Sequence, residues 1–387
     1  MKLLLSALLL LATFSPDMAA AAEGKDKTKT AAETPPGISQ KACDAALALR
    51  DAGRHSEAEQ ALRSLVAART QALGAEAPET LKAAALLMAM ELARHTDAAA
   101  EARSSALLLT MQRVLGVENR DTLHFQRHAL FAKSALGRPA EAEGQYRRLI
   151  RTDERVLGPE DEETLSARTM FGLVLMNASK LEEAEKEFRQ LLSISGRVSS
   201  AEATGTLQAR HNLALVLMLQ ENYAEAETLL RADVAACTRL HGPEHPDTLN
   251  GRNSLAAALS KQKKQTEAEK ELRSVAAIRM RVLGPEHPDT LMSRANWAGE
   301  LPVQKAEQEL RTVLAIDERV LGPEDRETLR CRFDLALRLA IQHQYPEALT
   351  HAHRALEGRT KTLGKDHPDT QDAQKLVNEL TKAASKT

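Results

Sequence analysis

Two histidines one helical turn apart, His124 and His128, come nearest in this sequence to a metal-ligand spacing, because residues i and i+4 share one face of a helix. The residues expected across from them, Lys82, Leu86, Ser166 and Met170, bring neither a carboxylate nor a third imidazole, so the pair reads as polar surface histidines and no metal is assigned. Glu-His-Pro-Asp segments such as Glu244 to Asp247 hold acid–base groups, yet they recur at several turns, which fits helix capping better than a single catalytic centre. Cys43, Cys237 and Cys331 are an odd number spread over almost 300 positions, without a Cys-x-x-Cys pair. They read as partly buried thiols rather than a disulfide framework, redox pair or zinc site. A phosphate-binding glycine loop, a nucleophile elbow and a zinc-ligand spacing are all lacking. The expectation is no catalytic residue, no metal and no cofactor.

The elements that carry these residues are helical. Of 387 residues only 10 are aromatic, whereas Ala, Leu, Glu and Arg, the strongest helix formers, dominate. With 52 basic against 54 acidic side chains the chain has no bulk attraction for a polyanion, so no nucleic-acid partner is expected. Met1-Lys2, an apolar run from Leu3 to Phe14 and small residues from Ala19 to Ala22 read as a secretory signal peptide over residues 1–22, with a retained anchor as the alternative. Residues 23–37, charged and rich in Pro and Gly, read as a flexible linker. Export to the periplasm or beyond is therefore expected, with no transmembrane span after cleavage.

Two columns recur at one period. Leu81, Leu123, Leu165, Leu207, Leu249 and Leu291 stand 42 residues apart, followed by Leu329 after 38 and Gln371 after 42. Ala58, Ala100, Ala142, Ala184, Ala226, Ala268, Ala306 and Ala348 keep the same steps, with the same single 38. Two columns sharing one exception mark a repeat, and periods of this size mean a solenoid in which each unit buries its apolar face on its neighbours. In Arg239–Leu249 and Arg281–Leu291, Gly242 and Gly284 suit a left-handed helix end, while Pro246 and Pro288 suit the first position of the next helix. A short break near Asn222-Tyr223 separates the two helices of a unit. Eight units are expected over residues 38–366, then a capping helix and tail over 367–387.

The Asn212-Leu213-Ala214 segment, the Tyr223–Glu227 segment and the Gly-Pro-Glu-His-Pro-Asp-Thr-Leu return resemble tetratricopeptide repeats, and the 42-residue period is similar to the kinesin-light-chain variant. The likeness spans about residues 38–386, with departures at Leu86-Leu87-Met88 and His128-Ala129-Leu130. It implies an all-α, right-handed α-solenoid of eight helix-turn-helix repeats with a C-terminal capping helix. It further implies that the first helices line a concave groove binding a peptide or partner protein, without catalysis.

With the recurring Leu as position 1, positions 1, 4, 8 and 11 face the second helix, and positions 2, 5, 6, 9, 12 and 13 face away. The outward set in repeats 4 and 5 includes Met170, Leu173, Met176, Leu215, Met218 and Leu219, apolar residues that read either as an exposed groove floor or as burial against the adjoining repeat. His211, Asn212, Asn253, Ser254, Asn296 and Asp334 flank it and could hydrogen-bond an extended backbone. The resemblance carries that role to Asn212 and Asn296, which match the family's Asn at position 6. Arg168, Arg210, Arg252, Arg294 and Arg332 at position 4 lie on the inward stripe, so each is expected to pair with a carboxylate of its own or a neighbouring repeat. In repeat 7 the Leu-to-Ala interval is 15 instead of 19 residues, which predicts a first helix missing its last turn, with Trp297 filling the space and the superhelix bending there. The function expected is a partner-binding scaffold or adaptor in the cell envelope. The alternative is a periplasmic, chaperone-like holder of unfolded segments. Oligomeric state is left open.

Overall fold

A computed structural model describes residues 38–51, 54–94, 98–198 and 203–385; the signal-peptide and linker readings for residues 1–37 lie outside these. The described residues form an all-α solenoid of helical repeats built from seventeen helices, with no strand among them. Pairs of helices follow the 42-residue period: α1 Gln40–Asp51 and α2 His55–Leu73, α3 Pro78–Arg94 and α4 Ala98–Val114, α5 Arg120–Ala135 and α6 Pro139–Val156, α7 Glu162–Asn177 and α8 Leu181–Val198. They continue with α9 Thr204–Leu219 and α10 Tyr223–His241, α11 Pro246–Lys261 and α12 Gln265–Leu283, α13 Pro288–Ala298 and α14 Val303–Val320, α15 Arg326–Ile341 and α16 Tyr345–Leu363, and end with α17 Pro368–Ala384. The chain divides into two compact units, one ending at Ala178 and the other beginning at Ser179. Within each, every helix packs on the next in sequence; in the first unit α5 also packs against α3 and α7.

Local chemistry sets the helix ends. His245, His287 and His367 are extended N-cap residues whose Nδ1 accepts the N–H two residues on, at 3.2–3.3 Å, and Asn119, Asp161 and Asp325 do the same with side-chain oxygens. The capping reading of the Glu-His-Pro-Asp segments is thus met. At the opposite end, Gly242 has φ 94° and ψ 167°, and Gly284 φ 90° and ψ 166°. This corrects the expected left-handed helix end: ψ lies far from the left-handed helical value, in a region open essentially to glycine alone, so the chain leaves each second helix extended.

The alanine column is buried in every repeat, each member being at most 2% exposed. A methyl group there lets the two helices of a unit approach, and a larger side chain would hold them apart. Repeat 7 follows the length arithmetic: α13 has 11 residues where α11 and α15 have 16. From Leu291 through Leu380, repeats 7 and 8 and α17 share one apolar core.

Polar rungs tie second helices to their successors in the second unit. Arg189–Glu225 (2.7 Å), Arg231–Glu267 (3.1 Å) and Arg311–Glu347 (2.7 Å) join α8 to α10, α10 to α12 and α14 to α16. Gln220, Gln262 and Gln342 donate at 2.6–2.9 Å to Glu185, Glu227 and Glu307 across the same junctions. Between α12 and α14 the same two columns hold two cations, Arg273 and Lys305, and two anions, Glu269 and Glu300. Among the described residues neither rung recurs there.

Candidate binding face and buried polar network

The first helices carry almost every residue singled out for partner binding, and their side chains divide into buried and reachable. Met170, Leu173, Met176, Asn212, Leu215, Met218 and Asn253 are buried, while His211, Leu219, Asn296 and Asp334 keep partial exposure. Of the apolar outward residues of repeats 4 and 5 only Leu219 keeps partial exposure, and the larger apolar exposure on the first helices lies elsewhere. Helical periodicity shows which side of a helix faces away from its partner, but not how closely the next helix covers that side.

Apolar residues do surface on α15. Leu337 at position 9 is 38% exposed, whereas Leu173 and Leu215 at the same position are fully buried; Ile341, one turn further, is 57% exposed. The preceding first helix, α13, is also the short one, with 11 residues. Arg338 reaches across and donates to the Gly299 carbonyl (2.8 Å), satisfying an acceptor at the truncated end. Asp334, Leu337 and Ile341 line one face of α15, and Arg330 lies between Asp334 (3.5 Å) and the Asn296 side-chain oxygen (3.3 Å), so these polar groups converge on one patch. Trp297 is half-buried with its Nε1 enclosed but unpaired. It does not bury fully in the space left by the lost turn.

The arginine column behaves as its geometry requires. Arg252 meets Glu271 at 2.7 Å and Arg294 meets Glu309 at 2.5 Å within their own repeats; Arg168 lies 3.9 Å from Glu154, and Arg332 pairs with Glu318, in the preceding second helices. These heads hold adjacent helices together and are not aimed at a ligand. Replacing Arg252 by alanine is expected to cost about 1 kcal/mol, because the pair is half-screened by solvent, and Glu271→Ala should lower the chemical-denaturation midpoint equally.

Sequence spacing missed a buried polar system between repeats. His211 Nδ1 lies 3.2 Å from Asp233 Oδ2, and its Nε2 lies 3.4 Å from Ser254 Oγ. A Ser–His–Asp order of this kind is the layout of an activated nucleophile, but Ser254 is fully buried and no substrate reaches it. The relay instead links α9, α10 and α11, and Gly251 permits it: a Cβ there would sit 3.1 Å from Val234 and 3.7 Å from Asp233 Oδ2. One more column was legible in the spacing yet unread. Arg69, Arg279 and Arg359, all buried, donate at 2.7–3.2 Å to the carbonyls of Glu79, Asp289 and Asp369 in the first turn of the next helix. In repeats 3 and 7 the same column holds Asp153 and Asp317.

Around His124 the expectation of no neighbouring carboxylate is corrected, since Glu163 Oε2 lies 3.0 Å from its Nδ1. The inter-repeat register, which the sequence alone does not supply, brings Glu163 there. A metal is nevertheless disfavoured: the Arg127 guanidinium donates to the same Nδ1 at 2.6 Å and pairs with Glu163, occupying the cation's place. Burial, then Arg127, pull the His124 imidazole down to about 3, so it is neutral.

The sequence profile of the tetratricopeptide-repeat family matches residues 205–280 and, separately, 328–369. No curated protein matches the chain. Among solved structures, the nearly identical TPR-like repeats of a Podosopora anserina kinesin light chain are 24% identical over 50% of this chain and 94% of that one, with a TM-score of 0.43. BtubC from P. vanneervenii is 14% identical over 59% and 91%, also at 0.43. A Rap protein complexed with competence and sporulation factor is 14% identical over 90% and 99%, at 0.45.

Proposed function

Because this chain is a tetratricopeptide-repeat protein, we propose that it is a non-catalytic scaffold whose partner, a protein or an extended peptide segment, docks on the first-helix face of repeats 7 and 8. Repeats of this family typically serve as interaction surfaces rather than active sites. The observation that carries the proposal is the exposure of Leu337 and Ile341 beside Asn296, Trp297 and Asp334: apolar anchors next to polar groups able to pair with a peptide backbone. His211, Asn212, Asn253, Leu219 and the buried Met and Leu residues of repeats 4 and 5 are, in this reading, not part of the contact. Export, read from residues 1–22, belongs to the same proposal. No helix of the described residues is long and apolar enough to cross a membrane. The chaperone-like alternative is not favoured, since the exposed apolar surface on α15 is confined to one turn.

The test is affinity capture with the chain lacking residues 1–22, repeated with Leu337→Glu and Ile341→Glu together. Both side chains are partly exposed, so the double variant should keep its helicity and midpoint while weakening capture of the wild-type partners at least about tenfold. An unchanged set of captured proteins would refute the proposed face.

A further inference from the structure

Among the returns that turn on a positive-φ glycine, the fifth repeat's differs from the rest in chemistry. Immediately before the positive-φ glycine, the repeats carry Leu73, Leu115, Leu157, Leu283, Leu321 and Leu363, but the fifth carries His241. Gly242 then turns the chain so that the last residue of α10 comes beside the N-cap residue of α11. The His241 and His245 ring centroids are 4.3 Å apart. Each Nδ1 lies 3.6 Å from Asp247 Oδ2, and one ligand atom from each of the three residues falls within 4.8 Å of the others.

We propose that His241, His245 and Asp247 form a binding site for a divalent first-row transition metal of the zinc class. Bonds of about 2.0–2.2 Å to imidazole nitrogen and carboxylate oxygen, arranged tetrahedrally, place ligand atoms about 3.3–3.5 Å apart. The two nitrogen–oxygen separations are already within a few tenths of an ångström of that. Two imidazoles and one carboxylate suit zinc, with copper and nickel as competitors, and exclude a preference for calcium or magnesium. The helix contributes too, since the negative end of the α10 dipole favours a cation beside His241.

Capping by His245 does not prevent ligation. Its Nδ1 accepts the Asp247 N–H at 3.3 Å, a long hydrogen bond that the metal displaces while Asp247 stays in place through its carboxylate. All three side chains are 31–54% exposed, which leaves the fourth coordination position to water or to a donor from a partner. A bound ion would fasten the end of repeat 5 to the start of repeat 6. The other returns are internal controls: His287 with Asp289, and His367 with Asp369, supply the cap and the acid but have leucine in the third place.

The experiment titrates the untagged full chain with Co2+, followed by its visible absorption, and then displaces the cobalt with Zn2+. The wild type should bind one equivalent. His241→Leu restores the residue found at the other returns and should fold unchanged, yet weaken binding at least about tenfold; Asp247→Asn, whose backbone cap is retained, should do likewise. His287→Leu, at a return with only two of the groups, should leave affinity unaltered. Stoichiometric binding that survives His241→Leu or Asp247→Asn, equal loss in His287→Leu, or no saturable binding by the wild type would each overturn the site.

Discussion

Replacing Arg127 with leucine is expected to destabilise the first unit by about 3 kcal/mol, and replacing Arg127 and Asp153 together by leucines to recover most of that loss. Arg127 is 1% exposed and Asp153 fully buried, their charged atoms 3.7 Å apart. The guanidinium also pairs with Glu163 and donates to the Glu163 carbonyl at 3.1 Å, so it joins α5 to α6 and to the first turn of α7. Neither Asp153 oxygen has a hydrogen-bond partner, and burial pushes its carboxyl up even with the arginine beside it. Removing Arg127 alone leaves an uncompensated acid in the core, which must bind a proton or hold the helices apart. Removing both exchanges two desolvated charges for apolar contact, which is close to neutral where the volume is refilled. Urea titrations of the two single variants and the double variant measure the coupling. Strictly additive losses would contradict this account.

Asp317→Asn is expected to stabilise the second unit at pH 8 by on the order of 3 kcal/mol and to change little at pH 4. Asp317 is buried on α14, and its carboxyl is pushed up to about 7, first by burial and then by Glu327 and Asp325, against which Arg330 and Arg294 act. A carboxyl raised in the folded state binds its proton more tightly there than in the unfolded chain. Its contribution is therefore fully present below about pH 4 and is lost as pH rises through 7. Asparagine keeps the neutral form's shape and does not ionise, so the variant's stability curve should be flatter over pH 4–8. A parallel pair of curves would assign the pH dependence to other groups.

Much of the fold could be read in the sequence because two columns of single residues, leucine and alanine, shared every step including the one of 38. Helix ends followed from Pro246 and Pro288, and the shortened α13 from one interval. The arginine pairs followed from helical geometry alone. The site was less legible. Position counting assigned Met176, Leu215 and Met218 to the side facing away from the second helix, yet all three are buried, because coverage depends on how the next repeat leans, which no local rule fixes. Glu163 reached His124 for the same reason. His241 was visible as the histidine in a column that is otherwise leucine apart from Ser199, though its importance depends on Gly242 folding it back onto His245.

The charges carried by the rung columns make salt act unevenly along the second unit. Where Arg189, Arg231 and Arg311 meet glutamates, added electrolyte weakens the attraction; at the junction whose columns hold Arg273 and Lys305 there is no such pair to weaken. The junction before repeat 7 is held instead by Arg279, which donates to the Asp289 carbonyl and to Ser293 Oγ, bonds to neutral acceptors that salt screens less, and the segment beyond it shares one apolar core from Leu291 to Leu380.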